Sequence, residues 1–452
     1  MNSFKSMRNA IKSITICIWL SASFSQLQGQ TLNKQKLDSL FDRLSADNQA
    51  MGTFAIAKNG NVLYSRSIGY SLISGDKKIK NDANTQFMIG SVSKMFTATM
   101  IFQLIDEHKL SLDTKLSKYF PKIPAASEIT IGTLLSHKSG LFDFVNDISD
   151  RSFLTKPQSR SKILSYIQYG QRHFAPNTDQ LYSNSGYLLL ASIIEKITKQ
   201  KYSQQLQERI CKRLNLTKTF SPTARNLGTT KSYYFNGTWN EIADLYPPNI
   251  TGVGDIVSTP TEMIVFIDAL FNDKLISSKS VNMMKKSAGP AHGMGLMKVP
   301  FGEKLGYGHG GDTYGTHSLV ASFEKDSLTL AFSDNGENYP HNDIAIAMLS
   351  IYFNQPFTMP DFCELNYTAA QLGAYSGRYA SEQIPLEITV TQKDNKLSAQ
   401  AAGQSSFPLK SSEKNKFHFR SANLELEFNP EKGEMLLKQH GKSYLYHKET
   451  KK

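Results

Sequence analysis

The sequence predicts an α/β (α+β) chain that ends in a small all-β module. Three observations carry this. Helical and strand patterns interleave from about residue 31 to 355. Beyond residue 365 the period changes to two. The composition, 40% hydrophobic and 20% charged over 452 residues, is that of an ordinary globular protein, neither disordered nor membrane-spanning. Length alone suggests three domains at about 150 residues each, but the single change of period argues for two.

Lys5, Arg8 and Lys12 precede a short apolar run, Ile14–Leu20, and small residues follow. This is the layout of a secretory signal peptide, too short for a membrane span. The expectation is a signal over residues 1–29, cleaved after Ser25 or Gly29, with an uncleaved anchor as the alternative. The protein would then be exported, periplasmic or extracellular, with no stable membrane span after cleavage. Cys17 lies inside the apolar run rather than after it, which argues against lipid attachment. Cys211 and Cys363 remain, and two cysteines so far apart read as single buried thiols.

Thr53–Ala57 and Val62–Ser65 flank Asn59-Gly60, a strong hairpin signal. A long helix is expected from Ser91 to about His108, and another after Asn184 through Ile197. Thr259-Pro260-Thr261-Glu262 reads as N-cap, first-turn proline and capping-box glutamate, opening a helix through Leu270. A last helix spans about residues 343–353, and Pro356 and Pro360 then break the chain. In the tail, Leu386, Ile388 and Val390 alternate with polar residues. Phe417 and Phe419, then Leu424, Leu426 and Phe428, Met435 and Leu437, and Tyr444 and Tyr446 continue the pattern. Such strands make a small antiparallel barrel or sandwich. The domain boundaries that follow are 30–356 for the first domain, 357–370 for a linker and 371–452 for the barrel.

Fifty-one Lys and Arg against 39 Asp and Glu give +12. The three cations of the first 30 residues account for part of this, leaving +9 spread over the rest. The densest run, Lys77-Lys78-Ile79-Lys80, has no aromatic interleaving, so no nucleic-acid partner is expected.

Ser-x-x-Lys on a helix places a hydroxyl and an amine on one face, where a desolvated lysine can take the serine proton. The pattern occurs at Ser74, Ser91, Ser159, Ser322 and Ser411. Only Ser91-Val92-Ser93-Lys94 follows an apolar strand-like run, Phe87–Gly90, and opens a long amphipathic helix. A plain helix N-cap would look similar. Tyr182-Ser183-Asn184 likewise differs from Tyr234-x-Asn236 and Tyr352-x-Asn354 by lying in a loop that starts a helix. Gly306-Tyr307-Gly308-His309-Gly310-Gly311 matches the dinucleotide fingerprint, but strands rather than a helix follow it. Glycines beside a strand let a substrate reach the backbone, whose N–H groups can bind an oxyanion. There is no H-E-x-x-H, C-x-x-C or phosphate loop, and His309 with His317 is a poor zinc pair. No cofactor and no metal are expected.

Taken in order, Ser91-x-x-Lys94, Tyr182-x-Asn184 and His309-x-Gly311 resemble the three active-site motifs of the penicillin-recognising serine hydrolases. The similarity is greatest to the class C β-lactamase branch with its D-aminopeptidase, DD-carboxypeptidase and esterase relatives. The separations of 91 and 127 residues suit that branch. Leu134–Leu141 and Gly252–Thr259 are similar too, and the likeness covers about residues 35–355. The tail from Tyr375-Ser376-Gly377 resembles a lipocalin-like barrel.

The resemblance implies an antiparallel sheet flanked by helices, an all-α subdomain, and a site between them. Ser91 would form an acyl-enzyme, Lys94 accept its proton, Tyr182 relay a proton to the leaving group, and Asn184 hold the substrate's amide. The backbone N–H groups of Ser91 and Asp312, beside Gly311, would form the oxyanion hole. His309 stands where many β-lactamases keep a lysine; if it lies in the cleft, its charge is expected to change within the working pH range, and the alternative is that it packs beside the glycines and donates one hydrogen bond. Asn177 replaces a common glycine, and Arg213-Leu214-Asn215 replaces Pro-Leu-Gly. The expected function is an exported serine hydrolase of small amides or esters, with small-molecule or peptide substrates such as D-amino-acid peptides of the cell wall. The alternatives are a true β-lactamase and a non-catalytic binder of peptidoglycan fragments.

Overall fold

The computed structural model describes residues 32–449 apart from 224–229, 287–291, 363, 364, 366, 394, 405, 420, 421, 423 and 440. The expected signal segment and Cys363 therefore lie outside the described residues. Helix α1 (Lys34–Ala46) is capped by the Asn33 side chain and buries Leu37, Leu40, Phe41 and Leu44, a helical stripe. Strands β1 (Ala50–Lys58) and β2 (Asn61–Ile68) form the expected hairpin, with both Asn59 and Gly60 at positive φ as a type I′ turn requires.

The central sheet adds β3 (Ser232–Phe235), β4 (Trp239–Ile242), β5 (Met297–Phe301), β6 (Lys304–Asp312), β7 (His317–Phe323) and β8 (Leu328–Glu337). Its order is β2-β1-β8-β7-β6-β5, antiparallel throughout. The one parallel pairing among the described residues, β3 on the end of β8, was not foreseen.

Residues 93–214 carry helices and no strand. Three helices matter for the site and its support: α2 (Ser93–Asp106), α3 (Asn184–Thr198) and, further on, α4 (Pro260–Phe271). The Thr259 hydroxyl caps α4 as expected, but the Glu262 carboxylate turns to the Lys218 N–H and the Thr219 hydroxyl. This region shares one apolar core in which α2 is buried almost all round, so its side chains are fixed by packing. The Cys211 thiol is buried there, and burial pushes it up to about 12. The first region ends with α5 (His341–Tyr352).

The tail is a closed barrel of eight antiparallel strands, from Gly377–Ala380 to Lys442–Lys448. Its interior holds Ile388, Val390, Phe417, Leu426, Phe428, Met435, Leu437 and Tyr446, the inward half of the alternation. Closure, which removes exposed edges, decides between barrel and sandwich. No described helix is long and apolar enough to cross a membrane.

Candidate active site

Ser91 is mounted by a short strand, a tight turn and a helix. Phe87–Met88 pairs with Val257–Ser258, the chain turns at Gly90 with φ +52°, and a 3₁₀ turn over Gly90–Val92 leads into α2. A β-carbon on Gly90 would sit 2.7 Å from the Asp312 backbone nitrogen, and one on Gly311 would sit 2.7 Å from the Ser91 nitrogen. Only glycines let the end of β6 come this close to the start of α2. The glycine run therefore lies in a strand beside Ser91, and the two backbone nitrogens expected to bind an oxyanion are brought together. The competing hydroxyl, Ser93, is buried and accepts from the Ile256 N–H, a structural task.

Lys94 is fully buried, with its nitrogen 2.9 Å from Ser91 Oγ, Asn184 Oδ1 and the Val253 carbonyl. Burial lowers its pKa to about 7, against the raising fields of Asp143 and Asp255. In the neutral amine two N–H groups serve Asn184 and Val253, and the lone pair faces the Ser91 hydroxyl.

Tyr182 donates to Ser91 Oγ at 2.7 Å, and its ring stacks on His137 at 4.5 Å. Burial holds the phenol far above its ordinary pKa, so it is a neutral donor and acceptor. Asn184 opens α3, with Ser183 as N-cap. Its backbone N–H and its side-chain amide both donate to Asp143, at 2.9 to 3.2 Å. That fixes the carbonyl oxygen toward Lys94. The amide expected to grip substrate is thus already engaged at both ends, and its geometry fits positioning of Lys94.

His309 is buried beside the site, its ring 6.3 Å from that of Tyr182 and its Nδ1 paired with the Gly310 carbonyl. Burial, helped by the Lys94 cation, lowers its pKa to about 3. Burial thus favours the neutral imidazole over the charged form that a titration in the working range requires. The Asp312 side chain points to solvent, where it accepts from His317 Nδ1 at 2.8 Å. Asn177 adopts φ +65° and Asn215 φ +56°, so both replacements keep the left-handed turn.

Sequence reasoning missed Asp143, the Val253 carbonyl and His137. The last two lie in the stretches that carried the resemblance, and Asp143 stands out only as a lone acid in Leu-Phe-Asp-Phe-Val.

The constellation is a serine hydroxyl touching a buried, weakly basic amine and a neutral phenol, with two backbone nitrogens beside it. Such a set can carry nucleophilic acyl transfer. The sequence model of the Beta-lactamase family matches residues 37–374. The chain belongs to that family. Penicillin-binding protein 4* of Bacillus subtilis (strain 168) is 27% identical over 436 residues, covering 88% of this chain and 94% of that protein. Teichoic acid D-alanine hydrolase of Staphylococcus aureus (strain NCTC 8325 / PS 47) is 30% identical over 57% of this chain, and the match spans 62% of that relative. The octameric penicillin-binding protein homologue from Pyrococcus abyssi superposes with a TM-score of 0.64 at 20% identity, covering 91% of this chain and 99% of that one. This β-lactamase-family chain is a serine hydrolase, and its fold, barrel included, has a solved counterpart.

Proposed function

We propose that the chain cleaves small amides or esters through an acyl-enzyme on Ser91. The observation that supports this most is the double contact of Ser91 Oγ, 2.9 Å from Lys94 and 2.7 Å from Tyr182. Neutral Lys94 takes the Ser91 proton as Oγ attacks the carbonyl. The Tyr182 hydroxyl passes a proton from the resulting ammonium to the leaving group, and water later attacks the acyl-enzyme with the same groups acting in reverse. The N–H groups of Ser91 and Asp312 hold the oxyanion. Asn184, oriented by Asp143, keeps Lys94 in place, and His309 and Gly311 lie beside the site.

The substrate class proposed is D-amino-acid amides, esters or peptides of the cell wall, a reading the name of the Staphylococcus aureus relative supports. A neutral His309 offers no lasting cation to a β-lactam carboxylate, which disfavours the antibiotic-hydrolase alternative. A binder without turnover is disfavoured by the complete Ser91–Lys94–Tyr182 set. Export behind a signal at residues 1–29 belongs to the same proposal, with hydrolase domain 30–356, linker 357–370 and barrel 371–452. A panel of D- and L-alanyl esters and amides, with nitrocefin alongside, tests the substrate class. Turnover of D-alanyl substrates is expected, and faster turnover of nitrocefin or of the L-series contradicts it.

A further inference from the structure

Beside the strand end that carries Asp312, a second cluster of chemistry-bearing side chains gathers. Antiparallel pairing sets His317 on β7 opposite Asp334 on β8, and Glu337 follows on the same strand. His317 Nε2 lies 3.1 Å from Glu337 Oε2, and His341 Nδ1, at the start of α5, lies 2.8 Å from the same oxygen. Ligand atoms of His317, Asp334 and Glu337 all fall within 4.8 Å of one another.

Asp334 is the anomaly. It is 1% exposed, and neither carboxylate oxygen has a hydrogen-bond partner. Gly52, its neighbour across β1, has no side chain and leaves room for it. A buried unpaired carboxylate costs several kcal/mol unless a proton or a cation joins it. The surroundings suit a cation better than a lone proton. Within this set His317 Nε2 and Glu337 Oε2, 3.1 Å apart, approach the edge of a zinc tetrahedron, about 3.3 Å for metal–ligand bonds near 2 Å. His317, Glu337 and His341 are all partly exposed, which provides an entry path.

We infer that His317, Asp334 and Glu337 bind a divalent transition-metal ion, with His341 the nearest further donor. Mixed imidazole and carboxylate ligands select zinc-like ions over calcium or magnesium, which prefer oxygen alone. This departs from the expectation of no metal, and it uses His317 without His309, which lies beside the Ser91 site. The ion would brace the β6–β7 turn that presents the Asp312 backbone to Ser91. The inference stands independently of the proposed substrate.

The test is calorimetric titration of the chelator-stripped full chain with Zn²⁺, and with Co²⁺ as a spectroscopic probe. Asp334→Asn and Glu337→Gln are compared with the parent chain, and folding is checked by circular dichroism. One equivalent of zinc is expected, with visible Co²⁺ bands, and each variant should weaken binding by at least about tenfold. If Asp334→Asn fails to fold, Glu337→Gln carries the comparison, since that side chain is partly exposed. No zinc binding to the parent chain overturns the inference, as does binding that both folded variants retain.

Discussion

Lys94 Nζ stands 2.9 Å from Ser91 Oγ, and the two other contacts of that nitrogen, to Asn184 and to the Val253 carbonyl, have the same length. Three directions of a tetrahedral nitrogen are thereby assigned, and the one toward Ser91 is where a proton can be taken.

The first prediction follows from the lysine's charge. A general base must be neutral, so kcat/KM for a neutral ester should rise with pH through about 7 and level off above it. Tyr182, held far above its ordinary value, should add no alkaline limb in the usual range. Stability should follow the same group. Folded Lys94 has lost its proton above about 7, whereas the unfolded lysine keeps it to about 10.4. Unfolding free energy should therefore gain roughly 1 kcal/mol per pH unit within that window from this residue. Lys94→Met should abolish both dependences, and denaturant melts at pH 7 and 9 check the second.

Asp143 is a positioning residue, acting through Asn184. Asp143→Asn should lower kcat by about 10²-fold with little change in KM, the cost of a small misplacement. Its negative charge also raises the Lys94 pKa, so removing it should move the acid limb to lower pH. A kcat loss with an unmoved limb would mean the acid serves stability alone.

His309 yields the third prediction. Neutral in the free protein, it should give matched anionic and neutral substrates similar pH profiles above pH 5. His309→Lys should lower KM for carboxylate-bearing substrates relative to neutral ones by about tenfold, the worth of one charge-assisted hydrogen bond. Equal KM values for the pair in that variant would remove residue 309 from substrate contact.

The barrel has its own apolar core, separate from the core beneath the site. Deletion beyond residue 365 should leave Ser91 reactive toward a small probe, with solubility or substrate range altered. A folded but unreactive truncation would assign the barrel a part in the site.

What was legible in the sequence was local. The Ser91–Lys94 spacing, the Asn59-Gly60 turn, the Thr259 cap and the tail's alternation each depend on residues a few positions apart, where backbone geometry dictates the outcome. What was not legible depends on distant contacts. Asp143 meets Asn184 across 41 residues and Val253 meets Lys94 across 159, and no pattern near either residue announces it. The burial of His309, which favours its neutral form, is absent from the motif. Asp334 is invisible for a related reason: only the register of β7 on β8 places it beside His317.

The central claim is that Ser91 is the nucleophile. Labelling the intact chain with a fluorophosphonate probe, followed by mass mapping of the modified peptide, tests it most directly. The adduct should sit on Ser91, and Ser91→Ala should remove both labelling and turnover, with a rate loss on the order of 10⁶. An adduct on Ser93 or any other serine, or turnover that survives in Ser91→Ala, would contradict the account.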